Sequence, residues 1–246
     1  MYGGEVSLLC LPYAGGGAAT YRDWQARLPD WVKLIAVQLP GRGPRLREEP
    51  ITDWPTLIDL LLREMQPRLS ESFAIFGHSM GALVGIELAH AFRRRTGRTP
   101  VWFGASACKA PAHRDRVADW LSCEETRLLE ELRTLDGTAP ELLENRELLD
   151  LMLPAIRADF HLCGTYQPPR RLPLDCPMLV MGGTEDVKVS EPRRHLSDWT
   201  VETTGRCSIE LLKGGHFFVE KQRDTVIELV IEDLRVALSG GRRACA

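Results

Sequence analysis

The chain has 246 residues, 44% of them hydrophobic and 26% charged, with a formal net charge of −3. This suits one α/β domain of 1–246 with a sizeable core, and gives no global attraction to nucleic acid or membrane. No apolar run is long enough to span a bilayer, and MYGGEVSLLCLPYAGG lacks the basic-then-apolar pattern of a secretory leader.

In chain order, 6–11 is predicted as a strand and 18–28 as a helix with Tyr21, Trp24 and Leu28 on one face. A strand at 33–39 and a helix at 55–69 follow, Pro55 suiting a first-turn position after Asp53. Strands are then expected at 73–76, 101–107, 178–182 and 208–212, with a helix at 82–95 and a closing helix at 223–238. The alternation predicts a mostly parallel sheet with helices on both faces. Between 111 and 169 only helical patterns occur, with Leu128, Leu129, Leu132 and Leu135 at helical spacing and further helical stretches at 141–152 and 155–163. Ser122 and Glu125 predict a capping box, Gly137 a helix stop and Pro154 an interruption. Its place between two strands predicts a helical lid insertion over a cleft. The tail 239–246 is expected to fray.

The seven cysteines form no C-x-x-C pair, and no His/Cys spacing suits a metal. They are expected to be reduced and mostly buried in a cytoplasmic protein without a metal site.

The stretch FAIFGHSMGALVGIELA, 73–89, places Gly77-His78-Ser79-Met80-Gly81 between an apolar strand and an apolar helix. G-x-S-x-G alone is a modest signal, but strand, tight turn and helix are the context a nucleophile elbow needs. Side chains at Gly77 or Gly81 would collide with a neighbouring strand or helix. The turn would also put the Met80 N–H at a helix N-terminus, where it can donate to an oxyanion. A serine needs a base and the base an orienting acid, in the chain order Ser, Asp or Glu, His. MLVMGGTED ends a strand at Glu185-Asp186 and IELLKGGH ends another at His216, so Asp186 and His216 are the expected partners of Ser79. Glu185 is the alternative acid, while His78, His90 and His161 are expected to be structural. A second oxyanion donor is expected in the glycine loop Pro12-Tyr13-Ala14-Gly15-Gly16-Gly17, at the same sheet edge.

Taken together, LPYAGGGAATYRDW, LPGRGPRLRE, GHSMGALVGIELA and KGGHFF resemble the type II thioesterases, stand-alone α/β-hydrolases associated with polyketide synthases and nonribosomal peptide synthetases. The resemblance covers about residues 7–238. It implies an α/β-hydrolase fold and hydrolysis of thioesters from the phosphopantetheine arm of acyl or peptidyl carrier proteins, clearing stalled acyl groups. It implies Ser79 as nucleophile, Asp186 as acid, His216 as base, and the Met80 and Ala14 N–H groups as oxyanion donors. No cofactor is implied, since the substrate carries the phosphopantetheine, and the family suggests a monomer. Two departures touch the acid loop and lid hinge: Val187 stands where many relatives have proline, and Lys109-Ala110-Pro111 where Arg-Ala-Pro is common.

Carrier proteins are acidic, so basic loops at the active-site edge are candidate docking points. Arg42, Arg45 and Arg47 follow the second strand and fit that expectation. Arg93-Arg94-Arg95 end the helix after Ser79, where the helix dipole is a sufficient local reason for cations. The rival readings are a carboxylesterase or lipase of free small esters, an acyltransferase or cyclase, and a non-catalytic binding protein on a hydrolase scaffold.

Overall fold

Six strands carry the architecture: β1 Val6–Leu11, β2 Val32–Ala36, β3 Ser72–His78, β4 Trp102–Ser106, β5 Met178–Gly183 and β6 Cys207–Leu212. The computed structural model describes residues 4–113, 116–117, 119–135, 145–189 and 191–240, with backbone alone at 192 and 193. The helices are α1 Trp54–Met65, α2 Met80–Thr96, α3 Glu125–Leu135, α4 Arg146–Thr165, α5 Pro192–Ser197, α6 Phe218–Lys221 and α7 Arg223–Gly240.

The strands pair in the order β2-β1-β3-β4-β5-β6, every pair parallel. Parallel strands must be covered on both faces, which is why β1, β4 and β5 are buried along their whole length. Side-chain alternation sends Leu9, Leu11, Phe73, Ile75 and Phe103 to the face covered by α1 and α2. Leu8, Cys10, Ala74, Phe76 and Trp102 go to the other face, under Val226, Ile227, Val230 and Leu234 of α7. The strand order reverses between β1 and β3, so the loops that follow these two strands part there and leave a crevice at the carboxyl edge.

Local signals explain several element ends. The Asp53 side chain accepts from Thr56 N at 2.9 Å and Pro55 occupies the first turn of α1. Gly97 ends α2 in the left-handed conformation at φ 69°.

Three expectations are corrected. Residues expected as one helix at 18–28 form two short 3-10 helices, Ala18–Tyr21 and Gln25–Arg27. The predicted face is buried all the same, with Tyr21, Trp24 and Leu28 no more than 8% exposed. Tertiary bonds set the tighter winding: Tyr21 Oη donates to Leu11 O at 2.7 Å and Ala18 N to Gln38 Oε1 at 3.0 Å. The two helices expected around Pro154 are one, α4, which runs through the proline. An interior proline costs a helix about 3 kcal/mol. Burial of Leu149, Leu153, Ile156 and Phe160 in a cluster with Leu128 and Leu132 of α3 offsets it. The Ser122–Glu125 capping box does not form, because Ser122 Oγ donates to Asp119 O and the Glu125 carboxylate takes Arg146. The start expected at 141 and the stop at Gly137 lie outside the described residues, as does the tail beyond residue 240.

Between β4 and β5 the described residues thus form loops, a 3-10 turn and the α3–α4 pair, with their own apolar cluster. Further along α4, Leu162 joins the main core, followed by Tyr166, and Trp54 Nε1 donates to Leu162 O at 2.9 Å. Gly164 meets the incoming chain so closely that a Cβ there would lie 1.9 Å from Val117 O. No two of the six described cysteines are joined in a disulfide. No described helix is long and apolar enough to cross a membrane.

Candidate active site

Ser79 stands between the end of β3 and the start of α2 with φ 54° and ψ −117°, a conformation non-glycine residues rarely hold. Two missing side chains permit it. A Cβ on Gly77 would lie 2.1 Å from Gly81 O, and one on Gly81 would lie 2.1 Å from Leu11 O. The first turn of α2 is therefore wedged between β3 and β1. Ser79 N donates to Ser106 O at 2.7 Å, which ties the elbow to β4.

Two later loops converge on it. Gly183 at the end of β5 would place a Cβ 2.4 Å from Gly214 O, so the loops after β5 and β6 touch backbone to backbone. Glu185 N donates to Gly214 O at 2.9 Å across that contact. His216 is thereby brought within 2.9 Å of Ser79 Oγ through Nε2 and within 2.8 Å of Asp186 Oδ2 through Nδ1. The carboxylate accepts the Nδ1–H, which leaves Nε2 to accept from the Ser79 hydroxyl. The second Asp186 oxygen accepts from Lys188 N at 2.9 Å. Asp186 is 3% and His216 6% exposed, whereas the alternative acid, Glu185, is exposed. Such a line can lift a proton from the hydroxyl and return it to a leaving group.

Met80 N belongs to the residue after Ser79, at the start of α2, and Ala14, in the glycine loop after β1, lines the same cavity as Ser79 and His216. Neither N–H has a protein acceptor among the described residues. The loop is a tight turn, Gly16 N donating to Tyr13 O at 2.9 Å with Gly15 at φ 79°. A cavity of about 480 Å³ opens above Ser79, His216 and Ala14. Trp120, Phe160 and Gly164 line it from the helical insertion, and Lys188 and Glu131 pair across it, joining the acid loop to α3. Phe160 of α4 lines the cavity, whereas Ile156 packs in the lid cluster and Leu162 in the main core. Among the described residues no group of three or more His, Cys, Asp and Glu is placed to hold a metal.

The structural role expected of His78 takes a definite form. Its ring is fully buried; Nε2 donates to His216 O at 3.0 Å, so Nδ1 accepts from Ser106 Oγ at 2.8 Å. His78 thus holds the backbone of His216 in place. Burial, with neighbouring His216, keeps its pKa well below the usual histidine value. Burial also pushes His90 down to about 3, helped by Arg171, Arg93 and Arg94. A histidine held neutral when folded binds fewer protons than the unfolded chain, whose histidines titrate near 6.5. Stability from these groups is present above pH 6.5 and lost as pH falls toward the folded value. The urea midpoint is therefore expected to drop between pH 7 and pH 5. His90→Gln, which keeps an acceptor for Arg93 but does not titrate, is expected to flatten that slope; an unchanged slope would remove His90 from the account.

The three candidate docking arginines divide. Arg42 pairs with the buried Asp159, and Arg45 with Glu48 and Glu64 at the surface, so both charges are committed to carboxylates of this chain. Their cation field is largely neutralised where an acidic partner would approach; Arg47 stays exposed. Asp159 escaped the sequence reading. The available signal was a lone carboxylate in the apolar run Ala155-Ile156-Arg157-Ala158-Asp159-Phe160.

Comparison with known proteins matches this geometry. The Thioesterase domain family profile matches residues 6–234. The gramicidin S biosynthesis protein GrsT of Aneurinibacillus migulanus is 34% identical over 235 residues, covering 96% of this chain and 91% of that one. The RedJ thioesterase from the prodiginine pathway of Streptomyces coelicolor superposes with a TM-score of 0.87 at 35% identity, covering 94% of this chain and 91% of that one. The type II thioesterase BorB, from the borrelidin biosynthetic cluster, superposes with a TM-score of 0.85 at 33% identity, covering 95% and 94%. A six-stranded parallel α/β-hydrolase sheet, a serine on its elbow with histidine and aspartate in line, and a family match over nearly the whole length lead to one assignment: the chain belongs to the thioesterase family, in its type II group.

Proposed function

We propose that this thioesterase hydrolyses acyl thioesters carried on the phosphopantetheine arm of acyl or peptidyl carrier proteins, with Ser79 as nucleophile, His216 as general base and acid, and Asp186 as orienting acid. The observation that carries the reading is the unbroken line Asp186–His216–Ser79 beneath a cavity large enough for an acyl chain. His216 Nε2 takes the Ser79 proton as Oγ bonds to the thioester carbon. The oxyanion that forms is held by the Met80 and Ala14 N–H groups. The carbon–sulfur bond breaks and the departing sulfur takes the proton from His216; a pantetheine thiol leaves readily, with a pKa of roughly 8.5. Water then gives a proton to His216, attacks the acyl-enzyme, and releases the acid as the proton returns to Ser79. Side chains of this chain carry every proton in the scheme, so it calls for no cofactor beyond the phosphopantetheine of the substrate.

Relatives from gramicidin S, prodiginine and borrelidin biosynthesis support a place beside a modular synthase, removing stalled or aberrant acyl groups. The working form in this reading is a cytoplasmic monomer that meets acidic carrier domains near the exposed Arg47. The test is intact-protein mass spectrometry of carrier proteins loaded with acetyl, propionyl, butyryl and a longer acyl group, with free thioesters and oxygen esters alongside. Loss of acyl mass, faster from carriers than from free esters, is expected. Intact acyl-carriers beside rapid oxygen-ester cleavage would replace this reading with that of a carboxylesterase.

A further inference from the structure

The donor Ala14 N–H lies in the plane of the Tyr13–Ala14 peptide, and the next plane, Ala14–Gly15, limits how far that peptide can turn. The first plane is fixed by Gly16 N donating to Tyr13 O at 2.9 Å. Because a trans peptide points its C=O and N–H opposite ways, pinning the Tyr13 carbonyl aims the Ala14 N–H. The second plane is fixed from outside the loop, where Gly15 N donates to Asp159 Oδ2 at 2.7 Å. Asp159 is a side chain of α4, 1% exposed. Arg42, in the loop after β2, holds it in turn: Nη2 donates to Asp159 Oδ1 at 2.9 Å, and Nη1 reaches both Asp159 Oδ2 and Gly16 O, the latter at 3.3 Å. Gln38 closes the arrangement, its Nε2 donating to Arg42 O at 3.1 Å and its Oε1 accepting from Ala18 N.

We propose that the part-buried Arg42–Asp159 pair is a positioning device for the reaction, which locks the glycine loop so that the Ala14 N–H faces the developing oxyanion. A pair of this kind is a poor stabiliser, since desolvating two charges offsets most of their attraction and well-packed apolar residues do as well. Two of its remaining bonds are informative about its use: one goes to Gly15 N and one to Gly16 O, the backbone of the turn that follows Ala14, while Arg42 Nε donates to Pro40 O in its own loop. Gly15 needs such a hold because, at φ 79°, a glycine has many alternatives of similar energy. The turn is also pressed against α4, where a Cβ on Gly15 would lie 3.1 Å from Ile156 Cγ1. The oxyanion donor is therefore set by α4 of the helical insertion as well as by the sheet.

The inference rests on the Ser79 reading of the reaction, and the test separates the two. Arg42→Lys keeps a cation but not the fork that holds Asp159 and Gly16 O together; Asp159→Asn keeps an acceptor for Gly15 N but not the charge. Each is expected to lower kcat about 10–100-fold, less than or comparable to outright loss of one oxyanion donor. KM should stay within about twofold, since the donor acts on the transition state and not on the bound substrate. The decisive readout is an acyl-pantetheine trifluoromethyl ketone, which adds to the serine and places an oxyanion in the same pocket. Its Ki should rise by the factor by which kcat falls, with thermal melts confirming folded protein. Losses confined to KM, or a fall in kcat with an unchanged ketone Ki, would overturn the proposal. Should one variant fail to fold, the other carries the test. Turnover that survives in Ser79→Ala would defeat the reading of the reaction itself. An inactive Ser79→Ala beside fully active Arg42→Lys and Asp159→Asn would defeat only the positioning role.

Discussion

Ser79→Ala is expected to lower thioester turnover by a factor of about 10⁴ or more, and His216→Ala by a similar amount. The double variant should lose little beyond either single one, because hydroxyl and imidazole act as one unit through the 2.9 Å contact between them. Asp186→Asn should also lower turnover severely. The amide oxygen can keep the bond from Lys188 N only by turning the NH2 to His216 Nδ1, where it donates, so the ring proton moves to Nε2 and the Ser79 hydroxyl loses its acceptor. Steady-state turnover of an acyl-carrier substrate measures all three, and additive losses in the double variant would refute a coupled unit. Stability should move the other way for one replacement. Ser79 is held at φ 54°, and Ser79→Gly relieves that conformation. The glycine variant should unfold at a higher denaturant midpoint, by an amount on the order of 1 kcal/mol, while being inactive. A serine kept in a strained turn at the expense of stability is the pattern of a functional site.

Gly77→Ala is expected to cost more than about 4 kcal/mol of stability or to prevent folding. The added carbon would lie 2.1 Å from Gly81 O and 2.5 Å from Ala82 N, both backbone atoms of the first turn of α2. No side-chain rotation relieves that contact, so the helix must move away from β3, and Ser79 moves with it. Gly97→Ala is the control. Its Cβ meets nothing within 4 Å, and only its φ of 69° opposes the change, for a cost of roughly 1 kcal/mol. Urea unfolding of both variants tests the comparison. A Gly77→Ala protein with a midpoint close to that of the parent would show that the elbow is not sterically closed as described.

The legible part of this protein lay where local chemistry is decisive. Parallel strands buried on both faces read as apolar runs, a capped helix shows its Asp53-x-Pro55 start, and an elbow shows its two glycines. Ser79, Asp186 and His216 could be named because each follows a strand at the same edge of the sheet, so chain order and strand periodicity suffice to bring them together. Glu185 against Asp186 could not be decided that way. Adjacent residues in one loop differ only in direction, and the Gly183–Gly214 contact decides which of them faces His216.

The rest depended on partners distant in the chain. Arg42 and Arg45 read as a basic surface loop, but their charges are met by Asp159, 117 residues away, and by Glu64 on α1. Pro154 read as a break, but the apolar contacts of α4 with α3 outweigh one missing backbone bond. Residues 18–28 carry the apolar face of a helix, and that face is buried as the pattern requires, while side-chain bonds from Gln38 and to Leu11 O wind the backbone more tightly than its own preference. The sequence by itself determined the parallel α/β fold and the elbow around Ser79, because those rest on periodicity, steric need for glycine and chain order, while four longer motifs carried the resemblance to the family. Only the tertiary structure decided which charges are internal, how the helical insertion is built and what holds the glycine loop in place. Those outcomes come from burial and long-range pairing, whose energies exceed any local propensity.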